Sequence, residues 1–260
     1  LCFRIPFVFA IPMRWRHART FLLGADALLD AYDRYQPLKG GKRHARLTAA
    51  EARAIEPGLA GDLAGAVTFD EWGIDGARLC VANALAAREA GAEVHVHHAV
   101  EDVAPEGDLY RVRVKDTLDG GVRTIFARAV MNATGAWSPR FAPRMDAEVR
   151  MRPGKGIHLV LDRRLSNYAV VAHAIDGREI FVEPWQNVSI VGTTDDDFYG
   201  DPDDVRATQD EVQYLAEGVA SIMPAVREAR IIATTAGVRP TLYGYGPKEE
   251  DLSREHEIVD

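Results

Sequence analysis

Three short stretches carry side chains able to do acid–base or anion chemistry. Pro153-Gly154-Lys155-Gly156-Ile157-His158 places a turn, an ammonium and an imidazole at the start of a strand. Lys155 can hold an anion, and His158, with an unperturbed pKa of about 6.5, can take a proton at neutral pH. Strand alternation sets the two on opposite phases unless the turn reorients Lys155. A histidine within a strand is more often a hydrogen-bonded structural residue, so this motif alone assigns no role. Gly237-Val238-Arg239-Pro240 sets a guanidinium on a loop stiffened by proline, an arrangement suited to bidentate recognition of a carboxylate or phosphate; a surface ion pair is the plain alternative. In Asn132-Ala133-Thr134-Gly135-Ala136-Trp137 the residues before the tryptophan are small, so a backbone there can approach a flat or phosphorylated ligand closely, although an ordinary strand exit reads the same way.

Metal chemistry finds little support. His95 and His97 share the face of an expected strand, with His98 beside them, but no acid or cysteine stands at a ligand-like spacing, so no metal is expected. Asp195-Asp196-Asp197 reads as loop charge, since three consecutive carboxylates cannot all point inward. Cys2 and Cys80 form no framework and fit a reducing, cytoplasmic compartment.

Elements must position these groups. Apolar spacing predicts a helix over Phe21 to Tyr35, and a Thr48-to-Glu51 capping box opens a second over about 48–56. A third helix runs from Asp75 to Gly91, followed by an alternating strand Glu93-Val94-His95-Val96-His97. Tyr110–Val114 and Val122–Met131 form a hairpin whose second strand runs into Asn132. After Pro153 the chain turns to short alternating strands, Ile157–Leu161, Ala169–Ala172, Glu179–Val182 and Val188–Val191, read as a separate antiparallel sheet. Thr208 and Glu211 cap another helix, and Ile231–Thr235 is a last strand.

The 260 residues carry 31 basic and 39 acidic side chains, a net charge of −8, which argues against nucleic acid as a partner. Residues 1–50 run the other way, with nine Lys or Arg against three Asp, a local +6 that reads as a solvated helix face or a basic face for an anionic substrate or lipid. The longest apolar run, Ile5 to Met13, holds two prolines and is far below the ~20 residues of a membrane span. Membrane contact is therefore expected to be peripheral at most, at the inner face of the cytoplasmic membrane. The start at Leu1 and the end at Asp260 read as the interior of a longer protein.

Taken in order, Met131–Trp137, Arg152–His158, Pro184-Trp185, Val191-Gly192-Thr193-Thr194-Asp195, Gly200-Asp201-Pro202 and Thr235–Pro240 resemble the aerobic FAD-dependent glycerol-3-phosphate dehydrogenases of the D-amino-acid-oxidase-like superfamily. Asp75-Gly76-Ala77-Arg78-Leu79 resembles that family's entry into a nucleotide-domain segment. The resemblance implies an α/β (α+β) fold, in which a discontinuous Rossmann-like FAD-binding domain, here incomplete, alternates with an antiparallel-sheet substrate domain. Residues 1–66 and 148–236 then correspond to substrate domain, and 67–147 and 237–260 to FAD domain. It further implies FAD contacts at Val100, Ala133, Thr134, Gly135, Trp137, Gly237 and Arg239, with His158 and Arg239 catalytic and Arg239 and Lys155 holding substrate. The implied reaction is oxidation of glycerol 3-phosphate, with hydride passing to FAD and electrons to a quinone. Two rivals stay open: a sister flavin amine oxidase acting on a glycine- or sarcosine-like substrate, and a non-catalytic module that kept the fold without FAD. The chain departs from the family pattern where a G-x-G-x-x-G should stand, since Gly244 and Gly246 are followed by Glu249, and it has no C-terminal Gly-Gly-Lys. The fragment by itself is therefore expected to be inactive.

Overall fold

The computed structural model describes residues 1–145, 147–246 and Ile258. The first elements are β1 (Cys2–Pro12), α1 (Ala18–Tyr32), α2 (Gln36–Lys39), β2 (Ala45–Leu47), α3 (Ala49–Ile55) and β3 (Leu63–Ile74). Next come α4 (Gly76–Glu89), β4 (His98–Glu106), β5 (Leu109–Asp116), β6 (Val122–Ala127) and α5 (Ser138–Phe141). The chain continues through β7 (Gly154–Leu161), β8 (Ala169–His173), β9 (Glu179–Trp185), β10 (Val188–Gly192), β11 (Asp196–Asp197), α6 (Gln209–Ala220) and β12 (Ile231–Arg239). Two compact units result, one from Leu1–Asp75, Gly156–Asp195 and Val205–Gly237, the other from Gly76–Lys155, Asp196–Asp204 and Val238–Asp260. The expected division at residue 66 falls inside β3, because β3 pairs with β1 from Leu63 to Ile74. Of the expected last segment, 247–257, 259 and 260 lie outside the described residues.

The first unit is built on a sheet of order β7-β10-β9-β8-β1-β3-β2, with β12 also on β7. The strands after Pro153 are therefore not a separate sheet: β8 runs parallel to β1, with Phe7 opposite Ala169, and joins them to the N-terminal strands. The other pairs with described register in this sheet are antiparallel. Alternation gives the sheet two faces. Val8, Ile157, Leu159, Val170, Val182 and Val191 point to one, where Leu215, Val219 and Met223 from α6 and its end close the main core. Both expected capping boxes are present, Thr48 with Glu51 on α3 and Thr208 with Glu211 on α6. On the opposite face α1 packs Leu22 and Ala18 against Ile11 and Val67, and beside them Ile5, Phe7, Ala169 and Val171 form a second cluster.

In the second unit β4, β5 and β6 make an antiparallel sheet whose core is Val103, Val112 and Val114. Two expectations fail here. Glu93–His97 is not a strand: no described strand pairs with it, and His97 has a φ of 59°, which turns the chain so that β4 starts at His98. The hairpin's second strand stops at Ala127, where its pairing with Tyr110 ends, so four residues separate it from Asn132.

Candidate active site

β7 presents Ile157, Leu159 and Leu161 to the main core, so His158 emerges on the face away from α6, half-buried. Register runs from His158 to Gly192 on β10 and on to Phe181 on β9. A Cβ placed on Gly192 would lie 2.4 Å from His158 Cδ2, so the imidazole lies over Gly192 and only glycine leaves room for it. The Ile157 amide donates to Thr194 Oγ1 at 3.1 Å, fixing the Gly192-Thr193-Thr194 turn against the same strand. Aromatic rings continue this face: Phe7 stacks on Phe69 with centroids 5.3 Å apart and meets Phe181 edge-on at 5.9 Å. Glu183, two residues beyond Phe181, shares the face and is half-buried; burial holds its carboxyl pKa above the usual value. Its carboxylate makes no hydrogen bond or ion pair among the described residues.

The second unit gathers several of the expected FAD contacts. Val100 on β4, Thr134 and Trp137 line one cavity of about 410 Å³ together with Val130, Asn132 and Arg140. The intervening loop is self-braced: Asn132 Oδ1 accepts from the Thr134 hydroxyl at 2.7 Å, and Asn132 Nδ2 donates to the Ser138 carbonyl at 3.0 Å. Gly135 sits at φ 59°, a left-handed conformation that strains any residue with a Cβ, and Ala133 completes the small-residue turn. The Trp137 indole donates to Asp203 at 2.9 Å, and Arg140 binds Asp203 and Asp201, so Gly200-Asp201-Pro202 is knotted to this loop. Those carboxylates hold the Arg140 pKa above its usual value.

The structure places the remaining expected residues less uniformly. Arg239 closes β12 as its last strand residue, half-exposed, and so is carried by a strand and not by a loop. On Gly237 a Cβ would meet nothing within 4 Å, so a ligand can approach its backbone. Lys155 is buried, pairs across the ladder with Asp196, and has the parity of Ile157, not of His158. The cavity beside Asn132–Trp137 fits a flat, phosphorylated cofactor such as FAD.

Three features escaped the sequence reading. Gly192 and Glu183 matter through register across strands. Asp26, Asp33 and His44 meet only through tertiary packing: His44 Nδ1 is 2.9 Å from Asp33 and Nε2 3.1 Å from Asp26, with Asp30 nearby. Burial pulls the His44 pKa down, but the hydrogen bonds to Asp33 and Asp26 outweigh it and raise the pKa overall. A cavity of about 500 Å³ lined by Arg14, Trp15, His173 and Tyr214 holds none of the expected site residues. Two of the three histidines near position 97 are drawn into local contacts, His95 to Glu93 at 3.0 Å and His98 to the Val96 carbonyl at 2.7 Å.

Comparison with known proteins fits this arrangement. The chain is 34% identical over 227 residues to anaerobic glycerol-3-phosphate dehydrogenase subunit A1 of Haloferax volcanii, covering 82% of this chain and 39% of that one. It is 31% identical over 262 residues to a glycerol-3-phosphate dehydrogenase of Mycobacterium leprae, covering 98% and 44%. The chain thus spans less than half the length of these relatives. In structure it resembles the glycerol-3-phosphate dehydrogenase of Bacillus halodurans complexed with FAD, at a TM-score of 0.75 and 23% identity over 94% of this chain and 45% of that one. It also resembles glycine oxidase of Geobacillus kaustophilus, at 0.63 and 24% over 93% and 60%. Since the pattern of the FAD-dependent oxidoreductases matches residues 8–253, the chain belongs to that family, in which FAD is the cofactor.

Proposed function

We propose that this chain supplies the substrate sheet and part of the FAD-binding portion of a flavoprotein that oxidises glycerol 3-phosphate to dihydroxyacetone phosphate. Residues of the first unit (1–75, 156–195 and 205–237) serve the substrate, and Val100, Ala133, Thr134, Gly135, Trp137 and Gly237 hold FAD. The observation that carries the reading is the His158 imidazole seated over Gly192 on the sheet face away from α6. Similarity to glycerol-3-phosphate dehydrogenases along most of the chain supports the substrate.

Bound FAD supplies a two-electron acceptor. A ring nitrogen of His158 accepts the proton of the secondary hydroxyl as the adjacent carbon is oxidised. Arg239 holds the phosphate through its planar fork. The Phe7, Phe69 and Phe181 rings exclude water from the face and so strengthen its polar interactions. Electrons then leave to a quinone. Among the described residues no helix is long and apolar enough to cross a membrane, and attachment would be peripheral, through the basic N-terminal fifth.

The experiment is anaerobic mixing of the flavin-loaded protein with candidate substrates. Glycerol 3-phosphate should bleach the flavin, and phosphate-free glycerol should do so only weakly. Bleaching by glycine or sarcosine instead would favour the amine-oxidase reading, in which Arg239 holds a carboxylate. That reading draws support from the likeness to glycine oxidase.

A further inference from the structure

Glu183 is a carboxyl group in a place that calls for an apolar side chain. It stands on β9 between Phe181 and Trp185 in the same-face row, flanked by Ile190 on β10, with Ala169 next to it on β8. No titratable side chain is among these neighbours. Burial without a partner costs free energy unless a ligand uses the group. Its nearest functional companion is His158. From His158 to Phe181 the register crosses two strand spacings, and Glu183 lies two residues further along β9, so the two Cα atoms are about 12 Å apart. The path between them crosses β10 between Ile190 and Gly192; Gly192 has no side chain and the imidazole leans over it, which narrows the gap to the span of a small molecule.

We propose that Glu183 is a specificity-determining residue that accepts a hydrogen bond from a primary hydroxyl at the end of the substrate remote from its phosphate. This rests on the reading that the His158 face receives a phosphorylated alcohol. Ionised or protonated, the carboxyl group keeps an acceptor oxygen. When ionised it also repels a phosphate dianion, which disfavours the phosphate end of a three-carbon substrate at β9. A face whose half-buried acceptor is covered by the bound substrate should disfavour an analogue that lacks the hydroxyl, because the acceptor then stays unsatisfied.

The test compares wild-type protein, Glu183→Leu and Glu183→Gln, each as the full flavin-loaded protein that contains this chain. One measurement is kcat/KM for flavin reduction by glycerol 3-phosphate against propane-1,2-diol 1-phosphate, which lacks only the primary hydroxyl. The other needs no turnover: dihydroxyacetone phosphate and hydroxyacetone phosphate are titrated against the oxidised flavin absorbance. Wild type should prefer the hydroxylated member of each pair by about tenfold or more. Glu183→Leu should bring both ratios to within about twofold of unity, and Glu183→Gln, which keeps a carbonyl acceptor, should retain most of the preference. An unchanged preference in Glu183→Leu, no preference in wild type, or no binding of either ketone overturns the proposal. If neither alcohol reduces the flavin, the dehydrogenase reading falls, while the ketone titration still decides the role of Glu183.

Discussion

His158 and Gly192 act as a pair, because the glycine exists to leave the imidazole its place. Gly192→Ala sets a methyl 2.4 Å from the ring and must displace it. In the flavin-loaded protein kcat should fall by about 10²-fold, the scale of an ångström of misplacement, with flavin content unchanged. His158→Asn keeps the side chain small and polar but removes the proton acceptor, so kcat should fall by on the order of 10²–10⁴ with KM little altered. Wild-type kcat in His158→Asn would transfer the base to another residue. Arg239→Lys keeps the charge and loses the fork; it should weaken binding of the phosphorylated substrate by ~1–3 kcal/mol, read as a rise in KM at constant flavin content.

Among the elements, the tie between α1 and the approach to β2 depends on pH. His44, half-buried just before β2, donates from both ring nitrogens to Asp33 and Asp26, which requires the imidazolium. Its raised pKa means the stability it contributes is fully present below the unfolded value of about 6.5 and is lost as pH rises through the higher folded value. Burial pushes the Asp33 carboxyl up, but the hydrogen bonds from His44 outweigh this and lower its pKa. Its contribution is present above about pH 4 and is lost as pH falls. The tie is thus strongest between roughly pH 4 and 6.5. His44→Gln should cost about 1.5–3 kcal/mol at pH 6 and flatten the decline of Tm from pH 6 to 9, measured by thermal denaturation. A decline of unchanged steepness would put the titrating group elsewhere. On α6, Thr208→Ala removes the hydroxyl that accepts from the Glu211 amide, and a loss of ~1 kcal/mol in denaturant titration is expected.

For the whole molecule, the two units differ in how well they are covered. The first has buried clusters on both sheet faces, whereas α4 buries none of its residues and leaves Val81 and Leu85 exposed, as are Val94 and Val96 after it. These 260 residues also contain no G-x-G-x-x-G to set a pyrophosphate at a helix N-terminus. Purified as they stand, they should be colourless, with the second unit the first to exchange its amide hydrogens. Stoichiometric FAD in such a preparation would show that the cavity at Val100, Thr134 and Trp137 suffices for binding.

Local chemistry made much of this molecule legible in its sequence. A Thr and a Glu three residues apart cap a helix through contacts contained in four residues, so α3 and α6 could be read directly. Alternation marked β7 to β10, and the ordered motifs from Met131 to Pro240 pointed to the family before any coordinate was known. What escaped depends on residues far apart in sequence. Glu93–His97 has the right pattern for a strand, yet a strand exists only where another pairs with it, and the chain turns at His97 instead. The parallel docking of β8 on β1 joins segments about 160 residues apart, and no periodicity records it. The same register decides that the His158 ring covers Gly192 and shares its face with Glu183. Sequence names the groups, but which of them meet is decided by strand pairing and the burial it imposes, because both are properties of the assembled sheet and not of any short segment.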